Sequence, residues 1–254
     1  MLNFMNLSLP KKGWIELNVM KSQPLYTDEK IIKYKQNILC HDVGAYIFLV
    51  HIKSMYPWVH TGTTSTTVPM TLEEIKYLDY EMCKCTSPQH LIYYDKNGKL
   101  YYDPSIFGSG EGLSVYIVSH EKIYDEGHFG AFIVMDKEAI YYDCNNVEDR
   151  WYYDTLEDRF KELCEEKGWK YKYHLVYSGL QNVQRVEAER YNFELDGLCS
   201  SWTYYIVEQM IKKHTLDVNR IESSIRKRYR YYLTRMIATY SFKLHQKLWD
   251  MIEK

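Results

Sequence analysis

The chain reads as an α+β protein, a mixed central β-sheet flanked by helices, on three observations. A tight hairpin is written around Asp136-Lys137, an amphipathic helix and an alternating strand follow it, and an apolar helix opens at Cys199. Strand, hairpin, helix, strand, loop and helix in that order suit a mixed sheet covered by helices.

The elements justify themselves in turn. Val43 to Val50 is apolar but too short to span a bilayer, so it reads as a buried strand or a core helix. Thr61 to Thr67 is a polar, low-complexity stretch, a loop or linker. Thr71-Leu72-Glu73-Glu74 is a capping box that begins a helix through about Cys83. These signals divide the chain into an N-terminal extension or lobe, residues 1–70, and a main domain with C-terminal helices, residues 71–254. Leu113 to Ser119 is a strand. The segment from Gly127 to Met135 is apolar enough to be a strand buried on both faces, and Glu138 to Asp143 returns beside it. Asp154 to Lys167 is an amphipathic helix with Leu156, Phe160, Leu163 and Cys164 on its apolar face, closed by Gly168. Trp169, Tyr171, Tyr173, Leu175 and Tyr177 then alternate with Lys170, Lys172 and His174, a strand with one buried face. Ser178 to Gln184 follows as a loop. The Cys199 helix continues through Tyr205, Ile206, Met210 and Ile211, a stripe assigned to packing.

Chemistry concentrates at that helix start. In Asp196-Gly197-Leu198-Cys199-Ser200-Ser201-Trp202 a Gly-turn delivers a cysteine to the first helical turn. Unpaired backbone N–H groups and the positive end of the helix dipole there lower a thiol pKa of about 8.5 by one to several units. Upstream, if Met135 faces Glu138 across the two-residue turn, Asp143 faces Gly130. His128 is then its same-face diagonal neighbour, within about 7–8 Å between backbones. Asp136, the rival carboxylate, sits about 26 Å along the strand from His128 and cannot orient the imidazole. A one-residue slip would bring Asn145 into the orienting position instead. His128, Asp143 and Cys199 together satisfy the nucleophile, base and orienter logic of covalent catalysis. Their order, His then Asp then Cys, excludes the papain order, in which cysteine comes first; His214 and His245 do follow Cys199 but lie in helical, charged sequence. Gln181, between Asp143 and Cys199, offers the neutral side-chain donor that an oxyanion hole needs.

These residues carry a resemblance. The His-strand-turn-strand-Asp unit, Gly179-Leu180-Gln181 and Gly197-Leu198-Cys199-Ser200-Ser201-Trp202 resemble the ubiquitin-like-protein protease and adenovirus protease (adenain) superfamily, above all the divergent members of large DNA viruses. The resemblance covers about residues 113–212 and rests on short motifs. It implies a papain-like-fold cysteine protease, with residues 71–254 as its catalytic domain. His128 would be the general base, Asp143 its orienting carboxylate, Gln181 the oxyanion donor and Cys199 the nucleophile. It also implies a viral precursor protein or a ubiquitin-like conjugate as substrate, and host cytoplasm or virion as compartment. One departure concerns the glutamine. In cellular members it lies much nearer the cysteine, whereas Gln181 precedes Cys199 by 18 residues. Arg185 to Tyr191 would then be an insertion, and Gln184 stands as an alternative donor.

Composition agrees with an enzyme without pointing to one. The 254 residues can bury a substantial core, and a formal charge of −2 implies no general pull toward nucleic acid or membrane. Tyrosine is frequent, at 26 residues, which suits half-buried strands and peptide-binding surfaces. Six scattered cysteines, no signal peptide and no membrane-length apolar run predict free thiols in an intracellular, reducing compartment. No cofactor is expected, and no metal: Cys83-Lys84-Cys85 with His90 offers three soft ligands but lacks a fourth at zinc-finger spacing. Arg226, Lys227, Arg228 and Arg230 stand among tyrosines in a pattern able to contact nucleic acid, although a solvated basic helical face is the commoner outcome. His51, His60 and His120 read as surface or core residues without a role. Two other functions share the constellation. One is an acyltransferase of the bacterial Yop effector type, which would need acetyl-coenzyme A; the other is a non-catalytic viral interaction protein on the same scaffold.

Overall fold

One two-residue turn organises the sheet. In the computed structural model, which describes residues 39, 42–68, 91–120, 128–145, 150–172, 179–190, 198–229 and 232–252, Asp136 and Lys137 have φ of 50° and 65°. These are the paired left-handed conformations of a type I′ turn, whose twist matches its strands. The Asp136 carboxylate accepts the Gly112 N–H at 3.1 Å, which ties the turn to the chain beside it. The flanking strands β4 (His128–Met135) and β5 (Glu138–Tyr142) pair from Met135↔Glu138 to Ala131↔Tyr142, the register expected from the turn.

Four further strands complete a mixed six-stranded sheet: β1 (Ile92–Tyr94), β2 (Leu100–Tyr101), β3 (Leu113–His120) and β6 (Lys170–Tyr171), in the order β2-β1-β3-β4-β5-β6. β1 runs parallel to β3 and β6 parallel to β5, while the other neighbours are antiparallel. β3 pairs β4 from Leu113↔Met135 to His120↔His128, so two histidines stand opposite each other at the end of the sheet remote from the turn.

The strict alternation of strand side chains splits the core in two. Val115, Ile117, Phe129, Ala131, Ile133, Ile140 and Tyr142 belong to one buried cluster. Tyr116, Val118, Phe132, Val134, Ala139 and Tyr141 belong to another. The first is covered by α1 (Asp42–Met55), α3 (Leu180–Arg190), α4 (Cys199–Lys213), α5 (Val218–Arg228) and α6 (Leu233–Ile252). The second is covered by α2 (Arg150–Lys167), whose Phe160 stacks on both Phe132 and Tyr141, with centroids 4.5 and 5.1 Å apart. The described residues thus form an α+β fold of six helices and one mixed sheet.

Several expectations change in detail. Val43 to Val50 resolves into helix, as part of Asp42–Met55, with Val43 to Ile52 all buried. The Thr61 to Thr67 stretch is a loop, yet Thr61 and Thr63 are buried and His60 bridges β3 through His60 N–H to Leu113 O and Val115 N–H to His60 O. The helix expected from Asp154 begins at Arg150 and still ends before Gly168. The alternating strand after it shrinks to Lys170–Tyr171, with Tyr173 to Tyr177 outside the described residues. Gln181 and Gln184 sit in a helix and not in a loop. Leu180-Gln181-Asn182-Val183-Gln184-Arg185-Val186-Glu187-Ala188-Glu189-Arg190 is rich in good helix formers, and Leu180, Gln184 and Glu187 fall on one face turned toward the core and α6. His214 terminates α4 in a left-handed conformation, φ 48°, and His245 is buried in α6. The capping box at Thr71, the Cys83, Cys85 and His90 group, and Arg230 lie outside the described residues.

Candidate active site

The end of the sheet opposite the Asp136 turn gathers the start of β4, the ends of β3 and β5, and the first turns of α3 and α4. The expected register carries Asp143 to the His128 ring: Nε2 lies 2.8 Å from both Asp143 Oδ1 and Oδ2. Asn145 is no rival orienter; its backbone N–H donates to Asp143 Oδ1 at 2.7 Å and holds the carboxylate. Cys199 is the first residue of α4, beginning just after Leu198, whose carbonyl accepts the Trp202 N–H at 2.9 Å. Thr203 Oγ1, one turn along, donates to Phe129 O at 3.0 Å and pins α4 to β4 beside the histidine. The Cys199 thiol is thereby a hydrogen-bonding neighbour of His128 and of the Phe129 backbone.

Electrostatics favour an ion pair there. Burial pushes the Cys199 thiol up, but the hydrogen bond and charge of His128 outweigh it and hold the thiol below its ordinary value. Burial likewise disfavours the His128 cation, and is outweighed by the charge and hydrogen bond of Asp143 and by Cys199, so the imidazole is held well above its ordinary value. Asp143 is itself lowered, since the His128 charge and hydrogen bond exceed the effect of burial. A lowered thiol, a raised imidazole and a carboxylate joined through one ring are the groups that can supply nucleophile, acid–base group and orienter.

Sequence reasoning missed three members of this cluster. His120, read as having no role, is buried opposite His128, with ring centroids 5.3 Å apart. Its Nε2 lies 2.7 Å from Tyr141 Oη, and Tyr141 Oη donates to Asp143 Oδ2 at 3.1 Å. Burial and the adjacent His128 charge lower His120 to about 3, so it is neutral and acts through Tyr141. Tyr141 reaches across β4 only because position 130 is glycine: a Cβ there would stand 2.2 Å from Tyr141 Oη. The third is Cys144. Its Sγ donates to Gln181 Oε1 at 3.0 Å and lies 3.6 Å from Cys199 O. Burial and the charges of Asp143 and Cys199 keep it a thiol. Gln181 N–H donates back to Cys144 O at 3.2 Å, and Gly179 lies so close that a Cβ would meet that carbonyl at 1.9 Å.

All four expected residues therefore converge: His128, Asp143 and Cys199 directly, and Gln181 through Cys144. Gln184 is only 1% exposed, and among the described residues its Nε2 has no partner. His128, at 16% side-chain exposure, is the most accessible of the four, ahead of Asp143 at 9% and Cys199 at 7%. His128, Asp143 and Cys144 are also a group whose donor atoms could share a metal ion. A separate cleft of about 360 Å³, lined by Asn97, Lys99, Tyr102, Arg159, Glu162 and Glu166 among others, shares no residue with this site. Among the described residues no helix is long and apolar enough to cross a membrane. No known protein family, no curated protein and no solved structure matches the chain.

Proposed function

We propose that the protein is a cysteine peptidase, an endopeptidase or an isopeptidase for ubiquitin-like conjugates, on a papain-like architecture with its base and acid ahead of its nucleophile. The observation that carries this reading is the His128 ring held between the Asp143 carboxylate and a thiol at a helix start, with the thiol lowered and the imidazole raised. The Cys199 thiolate attacks the substrate carbonyl, and the Cys199 N–H with Gln181 Nε2 receives the developing oxyanion. His128 then gives its proton to the leaving amine, and a thioester remains on Cys199. Water, deprotonated by His128, cleaves the thioester and restores the thiolate. Asp143 keeps the ring oriented and compensates its charge throughout. The resemblance to ubiquitin-like-protein proteases and adenain supports an extended peptide ending in small residues as the acyl half of the substrate.

Vinyl-sulfone or propargyl probes built on ubiquitin and SUMO test chemistry and substrate class together. Covalent labelling in the wild type, lost in Cys199→Ala, is the expected result for an isopeptidase. A chain unlabelled by those probes and by peptide-based thiol probes alike would defeat the peptidase reading.

A further inference from the structure

Each oxygen of the Asp143 carboxylate has an outer partner besides the imidazole. His128 Nε2 lies 2.8 Å from both Oδ1 and Oδ2, so the ring meets the carboxylate symmetrically. On the outside, Oδ1 accepts the Asn145 backbone N–H at 2.7 Å and Oδ2 accepts the Tyr141 hydroxyl at 3.1 Å. The torsion that turns an aspartate carboxylate is soft, with a broad minimum, so a bond to one oxygen leaves its plane free to rock. A second bond, to the other oxygen, fixes the plane against which His128 aligns. The phenol that makes this second bond has a single proton, and it goes to Asp143. The 2.7 Å contact between Tyr141 Oη and His120 Nε2 therefore runs the other way, with His120 Nε2–H donating and the phenol oxygen accepting. We propose that Tyr141, oriented by the Nε2–H tautomer of His120, is a positioning residue of the candidate active site: a one-way donor chain from His120 to Tyr141 to Asp143 fixes the carboxylate that aligns His128.

Two features set this chain apart from ordinary hydrogen bonds of a core. The neighbouring strand gives up a side chain to admit the hydroxyl, since a Cβ on Gly130 would stand 2.2 Å from Tyr141 Oη. The surroundings of His120 also suit a neutral donor. It is 3% exposed, its ring centroid lies 5.3 Å from that of His128, and the Tyr94 phenol of β1 packs edge-on at 5.9 Å. Tyr94 is neutral as well, pushed up to about 12 by burial. A cation on His120 would repel the His128 cation, and its attraction to Asp143 is outweighed by burial, so the ring keeps one proton. Bonds in series polarise one another, so the His120 donor strengthens the phenol's hold on the carboxylate.

The catalytic consequence rests on the peptidase reading, whereas the alignment of His128 shows in the Cys199 thiol without any substrate. Tyr141→Phe keeps the ring that stacks on Phe160 and removes only the oxygen. In the full chain it should move the Cys199 inflection of iodoacetamide labelling upward, because an imidazolium held less firmly lowers the thiol less. With whichever ubiquitin or SUMO vinyl-sulfone probe labels the wild type, the limiting labelling rate should fall on the order of 10-fold, the half-saturating concentration staying within about twofold. His120→Phe should act in the same direction and more weakly, and the double variant should be no worse than Tyr141→Phe alone, since His120 acts only through the phenol. Leu163→Ala, which opens the same core cluster away from the chain, should lower stability and leave the inflection in place. Nitrogen-15 NMR of the wild type, which needs no variant to fold, should show His120 as the neutral Nε2–H tautomer at neutral pH. The Nδ1–H tautomer or a cation there, an inflection unmoved by Tyr141→Phe, or one moved equally by Leu163→Ala overturns the chain. A shifted inflection in a protein that no acyl probe labels keeps the positioning role and loses the peptidase; probe labelling that Tyr141→Phe leaves unchanged in rate and in pH dependence loses only the positioning role.

Discussion

The two ends of the β4–β5 hairpin each carry an aspartate, and the two aspartates do different things. Asp136 is exposed in the turn and spends its carboxylate on one backbone N–H, Gly112. Asp143 is buried and engages His128, Tyr141 and the Asn145 backbone at once. Burial with three partners turns the same functional group from a turn residue into a charge that sets the protonation of its neighbours. The contrast shows that the hairpin is a ruler: its turn residue fixes the register, and the register decides which side chains meet some 20 Å away, at roughly 3.4 Å per residue.

The strongest break in the contrast is chemical. His128→Ala should lower kcat/KM by roughly 10³-fold or more, and Asp143→Asn by somewhat less, while Asp136→Asn stays within about twofold; steady-state kinetics on a cleaved probe substrate decide it. A larger loss in Asp136→Asn than in Asp143→Asn would mean that the ruler has been read from the wrong end. Next is the thiol itself. Because Cys199 is held low and His128 high, the thiolate–imidazolium pair persists between those two values, so iodoacetamide should label Cys199 well below the ordinary thiol range of about 8.5. Cys164, pushed up to about 12 by burial, and Cys144 should lag, and His128→Ala should move the Cys199 inflection upward in a pH series followed by mass spectrometry.

Smaller effects concern stability. Gly130→Ala forces a methyl group against Tyr141 and should cost about 1–3 kcal/mol in urea unfolding, whereas Asp136→Asn should cost under about 1 kcal/mol. His120→Gln should cost about 1 kcal/mol at pH 7 through the lost bond to Tyr141. That gap should narrow in acid. The unfolded chain takes up a proton at His120 below about pH 6.5, but the native state does not until about 3, so wild-type stability drains across that window and the variant escapes this part of the loss.

What was legible in the sequence follows from the same ruler. A two-residue turn leaves no freedom in pairing, so the meeting of His128 with Asp143 could be worked out residue by residue. His120 could not, because β3 joins β4 through residues 121–127, a link long enough that His120↔His128 follows from no turn rule. Cys144 was passed over because an apolar, buried cysteine looks the same whether it packs or donates; only the fold brings it to Gln181, 37 positions away. The helix that carries Gln181 is not legible, since a glycine followed by polar residues signals a loop as readily as a helix start. The Cys199 helix was legible from its apolar stripe, but what locks it to the sheet, Thr203 on Phe129 O, depends on tertiary contact alone.

The stack of Phe160 on Tyr141 has a wider consequence. Tyr141 holds Asp143 with its hydroxyl and α2 with its ring, so a helix with no catalytic atom of its own has a mechanical hold on the carboxylate. The outer face of α2 carries Asp158, Arg159, Lys161 and Glu162 to solvent, so a path of packed rings, Phe160 and then Tyr141, links that surface to the Asp143 carboxylate.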